Sequence, residues 1–306
     1  MAGILVFSDK LNLGLELITA AKAINQEVKA LAINDDKLAE GLAAAGAQVY
    51  KVENNDINIA DVAGVASTIQ QIADQEGLSV ILLASNHRGK ELAGRLAQKM
   101  EAGCLTDVSN IEVDGDKIAC RRNALGGATI ATELITVDKK VIAVAPRSFE
   151  PAGAGAGSIT NVEITAPVSK IKLVEVKAKS TDAVDIEAAE FLVTVGQGLN
   201  SQDDLGSVEQ LAKAIGGEVA CTKPVATDKK WLSEERVVGL SGKICKPELA
   251  ILLGISGQVQ FTVGIRDAKT IVSINSDENA SMNQMADYIL TADLHEAVKE
   301  LNSKLG

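Results

Sequence analysis

The sequence predicts an α/β protein of two domains: an N-terminal doubly wound mixed sheet over 1–187 and a C-terminal doubly wound parallel sheet over 188–306. Three observations carry that expectation. The chain has 306 residues, enough for two filled cores. Each half alternates short β-rich runs with longer stretches of helical period, the pattern of strands crossed over by helices. A polar stretch over 177–185, too poor in apolar residues to build a core, separates the two series and reads as an interdomain linker.

In chain order, strands are expected over 4–7, 28–33, 49–52 and 80–83. They alternate with helices over 11–24, 38–45, about 59–73 and 89–100. Past Cys104 the rhythm changes. Runs at 111–113, 117–121, 129–134 and 140–144 follow one another with only turns between, including the Asp114-Gly115 hairpin signal, so an antiparallel or mixed extension is expected. Residues 150–158 carry small side chains and glycines and read as a loop. A β-like run over 171–176 leads into the linker. The second series places strands at 191–195, 218–221, 249–255, 270–274 and 289–292, with helices near 204–215, from about Ser256, near 282–288 and over 294–301. No short-period repeat underlies this order, which excludes a solenoid.

Composition narrows the function. The net charge of −11 repels phosphate backbones, and one Trp, two Tyr and four Phe offer few stacking platforms, so no nucleic-acid partner is expected. His87 and His295 are far apart, and Cys104, Cys120, Cys221 and Cys245 form no C-x-x-C pair; no metal site is expected, and the cysteines read as reduced core residues. The N-terminal MAGILVFSDK lacks the basic flank and long apolar core of a signal peptide. With no later run of membrane-spanning length, the expectation is a cytoplasmic protein without membrane insertion.

In an open parallel sheet, ligands bind beyond the carboxyl ends of the strands. In the second half those positions hold Gly196-Gln197-Gly198, Thr222-Lys223, Gly254-Ile255-Ser256-Gly257, Asn275 and Asp293, all rich in small or hydrogen-bonding residues. In the first half they hold Ser8-Asp9-Lys10 and Asn34-Asp35-Asp36, with no glycine-rich phosphate loop. The second domain is therefore read as holding a nucleotide-like cofactor and the first as a scaffold or docking surface; glycine and Asn or Asp after strands also serve as ordinary turn and cap residues. Gly254-Ile255-Ser256-Gly257-Gln258 fails the nucleophile-elbow pattern because Gln258 stands where its second glycine belongs, so Ser256 is read as a helix N-cap and no catalytic residue is assigned. Trp231, beside Lys229 and Lys230, is placed either to pack under a cofactor site or to anchor its loop in a core, and is read as the anchor. His87-Arg88-Gly89-Lys90 reads as a charged, solvated helix start.

The runs VTVGQGLNSQDDLGSVEQLAKAIGGEVACTKPV, VVGLSGKICKPELAILLGISGQVQF, TIVSINSD and ADYILTADL together resemble the FAD-binding domain of electron-transfer flavoprotein alpha subunits, over about 190–305. ILVFSD, RGKELAGRLAQKM and LTDVSNIEVDG resemble that family's N-terminal domain. The resemblance implies FAD as cofactor, a beta subunit completing a heterodimer, and single-electron transfer between a flavin dehydrogenase and a downstream acceptor. It implies an electron carrier rather than a catalyst with its own substrate.

Carried over by position, Thr222 and Lys223 stand at the family's Ser-Arg pair by the flavin's redox-active edge. Val238, Gly239, Leu240 and Ser241 stand at V-G-Q-T, with the hydroxyl near the flavin N5. Ser256, Gly257, Gln258, Val259 and Gln260 match S-G-A-I-Q along the flavin and its pyrophosphate-ribityl part, and Asn275 and Asp293 match contacts to the adenosine half. Two positions depart: Gln197 replaces the arginine of G-R-G, and Phe261 replaces the histidine that closes the S-G-A-I-Q-H run. With Leu240 in place of an amide, these departures leave open an alternative, a nucleotide-binding regulatory module on the same fold without flavin redox function.

Overall fold

A computed structural model describes residues 3–25, 27–115, 117–127, 129–169, 171–175 and 184–305. The chain divides into two compact units, Met1–Val176 and Lys177–Gly306. The expected linker falls outside the described residues as far as 183. Beyond it, Ile186 is fully buried in a core cluster of the second unit, with Val184 and Ala189 packed against that cluster.

The first unit is built from β1 (Gly3–Phe7), α1 (Leu11–Lys22), β2 (Val28–Ile33), α2 (Asp36–Ala44), β3 (Gln48–Val52), α3 (Val62–Glu76), β4 (Leu78–Ala84) and α4 (His87–Met100). It continues through β5 (Gly103–Asp114), β6 (Lys117–Ala124), β7 (Thr129–Leu134), β8 (Lys140–Val144) and β9 (Ser158–Asn161). The sheet runs β7-β6-β5-β8-β4-β1-β2-β3-β9, antiparallel only at the β5–β6 and β6–β7 pairings, which is the mixed, doubly wound architecture read from the sequence. Alternation along the strands sends Ile4 and Val6 to a core shared with α1 and α2, and Leu5 and Phe7 to a core shared with α3 and α4. Three of the four helices start on side-chain caps: Asp35, Asp61 and Asn86 accept from Leu38 N, Gly64 N and Gly89 N at 2.9, 3.1 and 2.8 Å.

Two elements differ from the sequence reading. The loop over 150–158 ends in a strand, because β9 pairs in parallel with the outer side of β3. The β-like run at 171–176 forms no strand over 171–175, and Val176 lies outside the described residues.

The second unit comprises β10 (Phe191–Val195), α5 (Leu205–Ala214), β11 (Glu218–Cys221), α6 (Lys223–Thr227), β12 (Leu249–Leu253), α7 (Val259–Thr262), β13 (Thr270–Asn275), β14 (Tyr288–Thr291) and α8 (Leu294–Leu305). All five strands are parallel, in the order β11-β10-β12-β13-β14. Helices α5 and α8 cover one face through Val208, Leu211, Leu294 and Val298. The other face is closed by Val238, Phe261, Ile265 and Met282 from loops and short turns.

The expected helix from Ser256 is a correction. Gly257 adopts φ +87°, and a Cβ there would lie 2.2 Å from Met282 N, so the chain turns away before it can wind; α7 starts at Val259. Gln258 occupies the N-cap position, without a side-chain cap bond, and Ser256 is not a cap. Near 282–288 there is only a 3₁₀ turn, Ser281–Met285, before β14. Among the described residues no helix is long and apolar enough to cross a membrane.

Candidate functional site

Strands β10 and β12 are neighbours at the point where the strand order reverses. The chain leaves β10 toward β11 on one side and β12 toward β13 on the other, so their outgoing loops part and open a crevice. A cavity of about 850 Å³ lies there. That is toward the upper end of ligand pockets, which span about 300–1,000 Å³.

Glycines let the two central loops touch. A Cβ on Gly198 would be 2.6 Å from Gly254 Cα, and one on Gly254 would be 2.7 Å from Gly198 Cα. Gly254 also has φ +60°. The loops are tied by Gly196 N to Leu253 O at 2.8 Å and Gly198 N to Gly254 O at 3.0 Å. A second wall comes from 238–241, held by Val238 N to Cys221 O at 2.9 Å and Leu240 N to Gln260 O at 2.7 Å. Gly239, at φ +136°, makes that approach possible, since a Cβ would meet Gln260 O at 2.5 Å. The third wall follows β13. Asn275 Nδ2 donates to Ile255 O at 2.9 Å, while its Oδ1 accepts from Asp277 N at 3.1 Å. Beneath it, Ser273 Oγ donates to Asn283 Oδ1 at 2.8 Å, and Asn283 Nδ2 donates to Glu278 O at 3.0 Å, fixing the loop from inside the core.

Several polar groups at this cavity are left for a ligand. Thr222 Oγ1 is buried and, among the described residues, has no hydrogen-bond partner. Among the described residues, the backbone N–H groups of Ser256 and Gln258 donate to no protein acceptor. A buried hydroxyl without a partner costs about 1–3 kcal/mol, so its place on the wall of a cavity fits a ligand that bonds to it. Lys223, exposed at the first position of α6, makes no ion pair among the described residues. Cys221, just before Thr222, is no nucleophile: burial pushes its thiol up to about 12, against a weak opposing pull from Arg236.

The cavity gathers Gln197, Thr222, Lys223, Val238, Gly239, Leu240, Ser241, Ser256, Gln258, Gln260, Phe261 and Asn275 from the residues singled out in the sequence. It does not gather three others. Gly257 is pressed against the Met282 backbone, Val259 points to solvent at 65 % exposure, and Asp293 caps α8 by accepting from His295 N at 2.9 Å and Glu296 N at 3.2 Å. Two of the departures differ in setting: Leu240 is 67 % exposed, whereas Phe261 is 6 % exposed and belongs to the apolar cluster beneath the cavity. Pro224, Thr227, Asp228, Asp277 and Ala280 also line the wall and were not picked out. Asp277 was within reach, two residues past a strand end. Thr227 and Asp228 carried no signal, because α6 was not expected.

A doubly wound parallel unit whose switch-point loops enclose a large, glycine-walled cavity has its cavity where open α/β sheets bind their ligands. The chain belongs to the electron transfer flavoprotein family, on its alpha-subunit side. Residues 10–168 match the family described as "Electron transfer flavoprotein domain" and residues 185–266 match "Electron transfer flavoprotein FAD-binding domain". Protein FixB of Escherichia coli O17:K52:H18 is 36 % identical over 306 residues, covering 98 % of this chain and 97 % of that protein. The FixB proteins of Shigella flexneri and of Escherichia coli K12 are 35 % identical with the same coverage.

Proposed function

We propose that the C-terminal unit binds FAD in this cavity and that the chain, paired with a beta subunit as a heterodimer, carries electrons between a flavin dehydrogenase and a downstream acceptor in the cytoplasm. The observation that supports this reading is the gathering around one switch-point cavity of twelve of the fifteen positions singled out by the resemblance, the departures at Gln197, Leu240 and Phe261 among them. Bound FAD supplies one-electron chemistry on its ring; the protein's part is to hold the ring, exclude water and set the potential. Ser241 offers a hydroxyl at the wall, Lys223 a cation, Thr222 a buried hydroxyl, and the Ser256 and Gln258 amides offer neutral donors. Leu240 and Phe261 contribute apolar surface where the resemblance implies polar donors, so the negative charge gained on reduction is less well stabilised at those two places.

The test is copurification of the full chain with a coexpressed beta-type chain, followed by visible spectroscopy and identification of the nucleotide released by acid. A yellow complex with flavin absorption and stoichiometric FAD, reducible by a flavin dehydrogenase, is the expected result. A colourless complex, or one that releases AMP or ADP instead, overturns the reading in favour of a regulatory nucleotide-binding module.

A further inference from the structure

We infer that Lys229 and Trp231 form a brace that sets the position of the cavity loop 196–199, and through it the spacing of both central loops, so that Lys229 is a positioning residue for the cofactor. Helix α6 ends at Thr227. The next residues fold back, with Lys229 N donating to Pro224 O at 3.0 Å and Trp231 N to Val225 O at 3.1 Å. Lys230 takes the left-handed φ of +55° that this reversal requires. The turn brings the two flanking side chains together: Lys229 Nζ lies 4.1 Å from the centroid of the Trp231 ring.

The same ammonium donates to Leu199 O at 2.7 Å, with Gln197 O at 3.4 Å. One cation therefore holds two carbonyls of a loop some thirty residues away in sequence. The indole fixes the cation, and Trp231 is itself packed against the core cluster that contains Leu199. The anchor is thus rigid at one end and charged at the other. Loop 196–199 is in turn in van der Waals contact with the loop after β12, because Gly198 and Gly254 leave no room for a Cβ between them. Shifting the first loop shifts the second. Lys229 does not line the cavity, so it acts through the loop rather than by touching a ligand.

The sequence offered Trp231 as a loop anchor or as a residue packed under the cofactor site, and Lys229 as a neighbouring charge. The brace combines them and rests, for its effect on a cofactor, on the FAD reading above. The experiment therefore uses two readouts on the full chain, coexpressed with its beta-type partner. Hydrogen–deuterium exchange of the peptide containing 196–200 reads the brace without any cofactor: Lys229→Met, which keeps the length of the stem, speeds exchange there at least tenfold, and Lys229→Arg restores protection. FAD titration reads the consequence: Lys229→Met raises the Kd for FAD roughly tenfold while the melting temperature of the FAD-free protein stays within about two degrees of wild type, and Lys229→Arg recovers most of the affinity. Unchanged exchange at 196–200 in Lys229→Met overturns the brace whatever the protein binds. Faster exchange with an unchanged Kd, or a Kd that moves only together with a collapse in melting temperature, overturns the positioning role. Absence of FAD from the wild-type protein counts against the cofactor reading and leaves the exchange result to judge the brace.

Discussion

Substituting alanine for Gly254 separates the strain of an unusual backbone from the contact that shapes the cavity, because the same unit contains a matched control. Gly254 has φ +60° and Gly216 has φ +70°, so an alanine at either pays the left-handed penalty of roughly 1–2 kcal/mol. Their surroundings differ completely. A Cβ at Gly216 meets nothing within 4 Å, whereas one at Gly254 falls 2.7 Å from Gly198 Cα, 3.1 Å from Gly198 C and 3.1 Å from Leu294 Cδ2. Carbon atoms pack at about 3.5–4.0 Å, so the Gly254 methyl forces the loops after β10 and β12 apart by close to 1 Å. Overpacking of that kind adds about 1–3 kcal/mol to the backbone strain. Gly216→Ala should thus lower the melting temperature of the FAD-free protein by roughly 3–8 °C, and Gly254→Ala by about twice as much. Only the second should weaken FAD, on the order of tenfold or more, read by titration against recovered flavin fluorescence. Equal melting shifts for the two variants, with FAD retained by both, would refute the argument that these glycines exist to let the cavity loops touch.

Three further outcomes are expected. Thr222→Val removes a buried hydroxyl that has no partner, so calorimetry should find the FAD-free protein equally stable or more stable, by up to about 1–3 kcal/mol, while FAD binds more weakly; the opposite pair of signs removes Thr222 from the site. Lys223→Ala should lower the flavin midpoint potential by an amount on the order of tens of millivolts with FAD largely retained, measured by spectroelectrochemistry, because a cation near the ring favours its reduced, anionic form; an unchanged potential places Lys223 elsewhere. In the first unit, the Ser169 hydroxyl and the Gly64 and Ala63 amides hold Asp61 below the usual carboxylate range. A depressed folded value means that its contribution is present above the unfolded value of about 3.9 and is lost as pH falls through the lower, folded one. Asp61→Ala should therefore cost about 0.5–2 kcal/mol at pH 6, and the difference from wild type should shrink progressively as pH falls below about 4, in melts followed across pH; a pH-independent difference would show that the carboxylate's charge is irrelevant.

The strand positions were legible because alternation and β-branched runs are local: 28–33, 129–134, 140–144, 191–195 and 218–221 coincide with β2, β7, β8, β10 and β11. What escaped is decided by contacts between distant segments. The helix expected from Ser256 depends on whether Gly257 is free to be helical, and it is not, because the Met282 backbone lies against it from twenty-five residues away. The run expected as a strand at 171–176 has a strand's composition but forms none over 171–175, because composition alone does not supply a pairing partner. β9, with all four residues exposed, has no hydrophobic pattern to betray it and exists only because β3 presents an edge. Strand ends are local signals, so residues at or just past them, such as Gln197, Thr222, Ser256 and Asn275, are the ones expected near a ligand, and they line the cavity. The cavity wall was missed where α6 brings Thr227 and Asp228 round by one helical turn.

The two units also show why a strand order alone does not make a binding site. In the first, β1 lies between β2 and β4, so its outgoing loop parts from that of β4 and the same rule predicts a crevice at Ser8, Asp9 and Asn86. The space there is only about 10 Å³, barely a water. Arg88 forms an ion pair with Asp9 across it, Ser8 Oγ accepts from Lys10 N at 3.1 Å, and the Asn86 side chain is spent capping α4 at Gly89 N. Gly89 draws the helix in so far that a Cβ would lie 1.7 Å from Ala84 O. Each of these polar groups already has a partner inside the unit, and a ligand could enter only by breaking the Arg88–Asp9 pair. At the second switch point the glycines stand in the loops themselves rather than at a helix start. They seat the loops after β10 and β12 against each other while a cavity of about 850 Å³ remains beside them, and among the described residues the Thr222 hydroxyl and the Ser256 and Gln258 amides have no protein partners. Topology supplies the crevice in both units; whether the polar groups around it are already paired with one another decides which crevice can take a ligand.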